Sequence, residues 1–307
     1  MAIYLLIYLF GVCYNEIKIE ERSFFMKLSV SVYSFSAYKK RTGASYEEIC
    51  RMTKEMGFDG IEFTEIVPEG DETKEETARR VRNICDALSL PVYSYAVGAN
   101  FLCDDPEAET ERIMREADIA KILGAPFMRH DASFALKSIE GYTWEDGVRD
   151  MAPYIRRVAE YAAGLGIKTG SENHGYIYQD PERMLALIHA VNHENYGWLF
   201  DMGNFSVVDR DAREAFEMAR PYIFHVHAKD MILKKGAHIN PAGFHQSRGG
   251  NLWRGTVLGH GQVPVAETFA FLKASGYDGT VSLEFEGAED NIPAIEQGLA
   301  YMKALIR

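Results

Sequence analysis

From Leu28 to the C-terminus, short runs rich in β-branched and aromatic residues alternate with longer segments whose apolar positions recur at helical spacing. The short runs predict strands at Leu28 to Ser34, Gly60 to Phe63, Pro91 to Ala96, Pro126 to His130, Lys168 to Glu172, Gly197 to Asp201, Ile223 to His227 and Thr280 to Phe285. The helical candidates are Ser45 to Met56, Lys74 to Leu88, Pro106 to Leu123, Trp144 to Leu165, Pro181 to Val191, Ala212 to Ala219, Val265 to Ser275 and Ile292 to Ile306. This is the order of repeated βα units, not of separate sheet and helix domains. Ser45-Tyr46-Glu47-Glu48 reads as a capping box, and Asp180-Pro181 sets an N-cap before a first-turn proline. Gly57-Phe58-Asp59-Gly60, Gly164-Leu165-Gly166 and Gly276-Tyr277-Asp278-Gly279 put glycine between a helix and the next strand. Together the units predict one α/β domain over 26–307, a (β/α)8 TIM barrel. No glycine-rich fingerprint follows the first strand, so an open dinucleotide-binding sheet is the weaker reading. Met231 to Pro264 carries no clear period and is expected to be a long irregular connection, of a length that usually has a function.

The first 25 residues break this pattern, because Ala2 to Cys13 is almost wholly apolar and Glu16 to Arg22 is densely charged. No basic residue precedes the apolar run, the run is too short to span a bilayer, and no small-x-small site follows it. They are read as an N-terminal extension outside the fold, with Met26 as its start. The 307 residues are 47% hydrophobic and 25% charged, which suits a globular protein with a sizeable core. A formal charge of -12 argues against a phosphate-backbone partner, for which no basic face is found, and fits a small uncharged or metal-chelated substrate better; no membrane partner is expected. Cys13, Cys50, Cys85 and Cys103 lie far apart with no CxxC pair, so they read as reduced thiols of a cytoplasmic protein.

Four strand ends in the second half carry residues suited to a divalent metal: Glu172, Asp201, His227 and Glu284. Ends of barrel strands face one shared mouth, and residues two apart on a strand share a face. Glu172 therefore goes with His174, His225 with His227, and Glu284 with Glu286. Three carboxylates and an imidazole form a hard, oxygen-rich set. It suits Mn²⁺, Mg²⁺ or Co²⁺ better than a thiolate-rich structural zinc site does. One divalent ion is expected, Mn²⁺ first, with Mg²⁺, Co²⁺ or Zn²⁺ as alternatives.

The succession Ser171-Glu172-Asn173-His174-Gly175, Asp201-Met202-Gly203-Asn204, His225-Val226-His227-Ala228-Lys229-Asp230 and Val281-Ser282-Leu283-Glu284-Phe285-Glu286 resembles the xylose isomerase-like TIM barrels. These are commonly labelled sugar phosphate isomerases or epimerases. The resemblance runs from about Lys27 to the C-terminus, and Gly57 to Glu62 matches the family's usual second strand. It implies one metal held by Glu172, Asp201, His227 and Glu284, and barrels that often dimerise. One departure is Asn204, where the ketose 3-epimerases of the superfamily usually carry a substrate-binding histidine. Another is His174, an ionisable group that those epimerases need not have.

The expected function is therefore a metal-dependent sugar isomerase or epimerase that abstracts a proton next to a carbonyl through a metal-stabilised enediolate. Glu172 and Glu284 would serve opposite faces of the substrate, with His174 or Lys229 handling oxygen protonation. Asn204, Lys229, Glu62, His130 and Arg248 are the expected substrate contacts. The alternative is a lyase using the same site for elimination on a 3-keto sugar or keto-polyol. It would resemble either the dehydratases of keto-inositol and dehydroshikimate or the catalytic subunit of C-glycoside deglycosidases, which needs a small β-rich partner subunit. An AP endonuclease-like repair enzyme fits less well, since no histidine occurs before His130 and the charge is wrong for DNA.

Overall fold

The structure is a computed structural model that describes residues 26–236 and 239–307. Its strands are β1 (Lys27–Ser31), β2 (Gly60–Thr64), β3 (Val92–Val97), β4 (Phe127–His130), β5 (Lys168–Glu172), β6 (Tyr196–Asp201), β7 (Ile223–Ala228), β8 (Asp230–Lys234), β9 (His245–Gln246), β10 (Leu252–Thr256) and β11 (Thr280–Leu283). Its helices are α1 (Ser36–Thr42), α2 (Tyr46–Met56), α3 (Lys74–Ala87), α4 (Pro106–Leu123), α5 (Trp144–Gly164), α6 (Pro181–Val191), α7 (Ala212–Ala219), α8 (Val265–Ala274) and α9 (Asn291–Ile306). Local chemistry sets these boundaries. The Ser45 and Thr73 side chains accept the N–H groups of Glu48 and Glu76, and Thr143 accepts that of Asp146, each closing the first turn of a helix. Gly57 ends α2 in the left-handed conformation, at φ 85°.

Eight parallel strands close a barrel in the order β1-β11-β7-β6-β5-β4-β3-β2, the predicted (β/α)8 architecture. Strand-to-strand approach is tight where glycine stands. A Cβ on Gly170 of β5 would lie 2.7 Å from the Gly197 carbonyl of β6, so a side chain there would push the two strands apart. The register sets Asp201 of β6 beside His227 of β7, and His227 beside Ser282 of β11. Apolar side chains such as Leu28, Phe63, Tyr95, Met128, Trp198 and Phe200 are buried in the core around the strands.

Three features depart from the sequence expectation. The first strand stops at Ser31, because the chain turns there into a 3-10 helix over Val32–Phe35 whose cap is the Ser31 hydroxyl; helix α1 follows directly. The eighth barrel strand stops at Leu283, which leaves Glu284 just beyond the strand, its N–H bonded to the Ala228 carbonyl. Met231 to Pro264 is not irregular throughout: β8, β10 and β9 form a three-stranded antiparallel sheet. Its base is tied by the buried Asp230 carboxylate, which accepts N–H groups from Met231, Gly259, Gly261 and Val263. The proposed extension over residues 1–25 lies outside the described residues. Among the described residues, no helix is long and apolar enough to cross a membrane.

Candidate metal centre

Parallel strands deliver their C-terminal ends to one face, and there Glu172 ends β5, Asp201 ends β6, His227 lies near the end of β7 and Glu284 follows β11. One donor atom from each lies within 4.8 Å of the others. His227 Nδ1 is 3.4 Å from Glu172 Oε1, 3.7 Å from Asp201 Oδ2 and 3.5 Å from Glu284 Oε2. All four side chains are largely withdrawn from solvent, with Glu284 the most accessible.

Neighbours fix where each donor points. Asp201 Oδ1 accepts the N–H groups of Gly203 and Asn204 at 2.7 and 2.8 Å, which leaves Oδ2 turned to the cluster. Glu62 Oε1 lies 2.9 Å from His227 Nε2, which makes this nitrogen the donor to Glu62 and turns Nδ1 to the cluster. Glu172 Oε1 accepts from the Asn204 amide at 2.9 Å, while its Oε2 lies 2.5 Å from the Arg129 guanidinium. Glu284 Oε2 lies 2.5 Å from Lys229 Nζ. Asn173 ties the strand ends together: its amide donates to the Asp201 carbonyl, and its oxygen accepts from the Asp201 N–H and the Trp198 indole.

The donor set fits a divalent ion. Asp201 Oδ2 and His227 Nδ1 are buried with no hydrogen-bond partner, a costly state for polar atoms unless something else engages them. Lys229 Nζ does approach Asp201 Oδ2 at 3.2 Å, at ion-pair range without hydrogen-bond alignment. Burial pushes the Glu172 carboxyl up, but Arg129 and His227 overcome it and hold the group well below the usual carboxylate range. Burial likewise depresses Lys229, yet Asp201, Glu284 and Glu286 raise it well above an ordinary lysine, so it stays cationic. Burial depresses His227 too, but Glu62, Glu284, Asp201 and Glu172 overcome it and raise the ring well above an ordinary histidine. A hard divalent ion, which takes deprotonated oxygens and a neutral imidazole nitrogen, would therefore displace a proton from this ring on binding.

Above the cluster lies a pocket of about 290 Å³ whose lining includes Tyr33, Arg129, His174, Lys229 and Glu286 along with Glu172, His227 and Glu284. His174 Nδ1 is 2.8 Å from Asp131 Oδ1 and 3.1 Å from Arg129 Nη2, and the edge of Phe134 packs against the ring. Glu172, Asp201, His227, Glu284, His174 and Lys229 are thus brought together. The other expected contacts sit elsewhere. Asn204 is buried behind the cluster, bridging Glu172 and Lys229. Glu62 is fully buried beneath it, against His225 and His227. His130 is fully buried between Phe101 and Tyr196. Arg248 reaches the rim, where it bonds Asp180 and the Tyr176 carbonyl.

The residue that sequence reading missed is Arg129. It contacts Glu172, Asp131, His174 and the Val97 carbonyl, and it stands one position before the His130 singled out on the same strand. A signal was present: a guanidinium inside a fully buried strand has to find carboxylates, and alternation puts Arg129 and Asp131 on one face with His130 on the other.

A family model described as Xylose isomerase-like TIM barrel matches residues 50–305. The L-ribulose-5-phosphate 3-epimerase UlaE of Shigella flexneri is 24% identical over 281 residues, 85% of this chain and 90% of that protein. An uncharacterized protein of Methanocaldococcus jannaschii is 26% identical over 148 residues, 46% of this chain and 45% of its own length, so that match spans about half of either protein. Among solved structures, the probable 3-DHS dehydratase AsbF of Bacillus anthracis superposes with a TM-score of 0.70 at 20% identity, covering 91% of this chain and 99% of that one.

Proposed function

This chain belongs to the xylose isomerase-like TIM barrel family, and from that premise we propose that it is a metal-dependent sugar isomerase or epimerase moving a proton on the carbon beside a carbonyl. The observation that carries the reading is the convergence of Glu172, Asp201, Glu284 and His227 Nδ1 on one point of the pocket floor, with Asp201 Oδ2 and His227 Nδ1 buried without a hydrogen-bond partner. Those four residues would hold the ion, and the proposed ion is Mn²⁺, given their oxygen-rich set. When bound, a divalent ion supplies Lewis-acid stabilisation of the negative charge that develops on substrate oxygens.

The remaining work falls to the chain itself. Glu172 and Glu284 come from β5 and from just beyond β11, strands on different sides of the mouth, so each addresses one face of a ketose in the pocket. One, as the carboxylate, takes the proton from carbon, and the other, carrying a proton gained from solvent, gives that proton to the opposite face; the centre inverts and the two exchange protonation states. Lys229 is cationic and can donate to a substrate oxygen as that oxygen gains charge. A pocket of about 290 Å³ is small for a ligand site and suits a single sugar unit. The activity named for the Shigella relative is of this reaction class. The cytoplasmic setting in this reading rests on the free thiols of Cys50, Cys85 and Cys103.

One observation favours a second reading, elimination from a 3-keto sugar or keto-polyol. His174, oriented by Asp131, adds a third proton-transfer group at the pocket wall, and elimination needs an acid for the departing oxygen as well as a base for the carbon-bound proton. Proton exchange in D₂O, followed by NMR on Mn²⁺-loaded protein with ketoses, ketose phosphates and 3-keto glycosides, separates the two. Exchange with a new epimer or aldose supports the first reading; exchange with loss of water or an aglycone supports the second. Glu284→Gln should abolish either activity with the fold intact, and normal turnover in that variant sinks both assignments.

A further inference from the structure

Beside the metal pocket lies a second cleft of about 310 Å³, and the two share Thr64 and Glu65 as a common wall. Its lining includes Lys39 and Lys40 from α1, Tyr46 from α2, and the apolar Val32, Ile49 and Val67. In a chain of net charge -12, many cationic side chains are tied to a carboxylate, as Arg51, Arg80, Arg157 and Arg210 are. Among the described residues no carboxylate comes within 4.0 Å of the Lys39 or Lys40 ammonium, as holds for most lysines of this chain; these two are set apart because both line one cleft beside the metal pocket. Lys39 Nζ lies 4.0 Å above the Tyr46 ring, which steadies it at the cleft wall and leaves its N–H groups free to donate.

We propose that this cleft is the subsite for the phosphate of a phosphorylated sugar whose carbonyl end occupies the metal centre. The inference rests on the function proposed above and names its substrate class. Two ammonium groups lining one cleft match the charge of close to -2 on a phosphomonoester, and lysine serves phosphate as a point charge. The Tyr46 hydroxyl accepts the Val67 N–H at 3.0 Å, so its own proton remains to be donated to a phosphate oxygen. Two groups in the lining do not help. The Ser36 hydroxyl already donates to the Tyr33 carbonyl, and Glu65 is an acid, though its charge is met by Lys74 at 2.8 Å.

The test compares the wild type with a Lys39→Gln/Lys40→Gln variant, both Mn²⁺-loaded. Each is assayed on a ketopentose 5-phosphate and on the same ketose without phosphate, and titrated calorimetrically with the phosphate ester and with a sugar acid of equal length. The preference for the phosphorylated ketose should fall about tenfold or more in the variant, through KM more than kcat. The affinity for the phosphate ester should fall alongside, and by more than that for the sugar acid. Unchanged preference and unchanged affinity overturn the subsite; equal losses for ester and sugar acid overturn its assignment to phosphate. Should neither protein exchange protons on any ketose, the functional reading fails, while the calorimetry still decides the subsite. If the double variant loses its near-UV circular dichroism, Lys40→Gln at the more exposed position carries the same comparison.

Discussion

Glu62 Oε1 lies 2.9 Å from Nε2 of His227, a contact between β2 and β7 made across the inside of the barrel beneath the proposed metal position. A carboxylate there holds the imidazole in the tautomer that offers Nδ1 to a metal. Glu62 also lies 3.0 Å from His225 Nε2, so one buried carboxylate orients both histidines of β7. Glu62→Gln keeps the size and loses the charge. Its Mn²⁺ affinity should fall by about 10- to 100-fold, the usual effect of removing such a partner, with the fold kept. Calorimetric titration with Mn²⁺ checks this, and wild-type affinity in the variant would show that Glu62 does not orient the ligand.

Arg129 bridges Glu172 Oε2 at 2.5 Å and Asp131 Oδ1 at 2.8 Å, with all three groups buried. Arg129→Met removes the cation and leaves two carboxylates facing each other out of water. Breaking a buried pair from one side costs about 3–5 kcal/mol, so the urea midpoint of the metal-free protein should drop accordingly. Added Mn²⁺ should restore part of the loss, because it recharges the site from the Glu172 side. A change below about 1 kcal/mol would mean the guanidinium is not needed to compensate the acids.

The barrel was legible in the sequence because the βα units carry their own periods and several start or stop on local signals, such as the Ser45 cap and Gly57. The four donors were legible because a carboxylate or histidine at a strand end has few other uses when four strands repeat it. Glu62, His130 and Arg129 were harder for one shared reason: on a barrel strand, a shift of one residue exchanges the interior for the outer face, and strand ends are uncertain by about that much. Helix α1 was hidden because Phe35 at its start provides no side-chain cap. The sheet of β8, β10 and β9 was hidden because its pairing closes over long separations, with Thr256 opposite Asp230.

Full burial between Phe101 and Tyr196 pushes His130 down from 6.5 to about 4. In the unfolded chain the same imidazole takes its proton near the ordinary value, so between these two pH values the unfolded state binds more protons. Stability should therefore be full above about pH 6.5 and fall as pH drops towards 4, by about 3 kcal/mol from this group. His130→Phe removes the titration. The stability difference between wild type and variant, measured by denaturant unfolding at several pH values, should change in that interval and be flat above it; a difference that is flat throughout contradicts the assignment.

Arg248 was expected to reach the substrate, and its surroundings give it other work. It bonds Asp180 at 2.5 Å and the Tyr176 carbonyl, and its guanidinium lies 5.0 Å from the Tyr176 ring. Tyr176 follows Gly175 in the loop that leaves β5, and both have positive φ, at 72° and 76°. The arginine thus reaches from the β8–β10–β9 sheet to a strained turn next to His174. A partly buried ion pair and a cation–π contact together are worth about 1 kcal/mol, so Arg248→Ala should lower Tm by about 2–4 °C. Mn²⁺ affinity should not change, because Arg248 touches none of the four donors. The opposite pattern, an unchanged Tm with a raised KM, would show that the guanidinium spends its interactions on a ligand after all. That comparison separates a residue that holds the rim from one that reads the sugar.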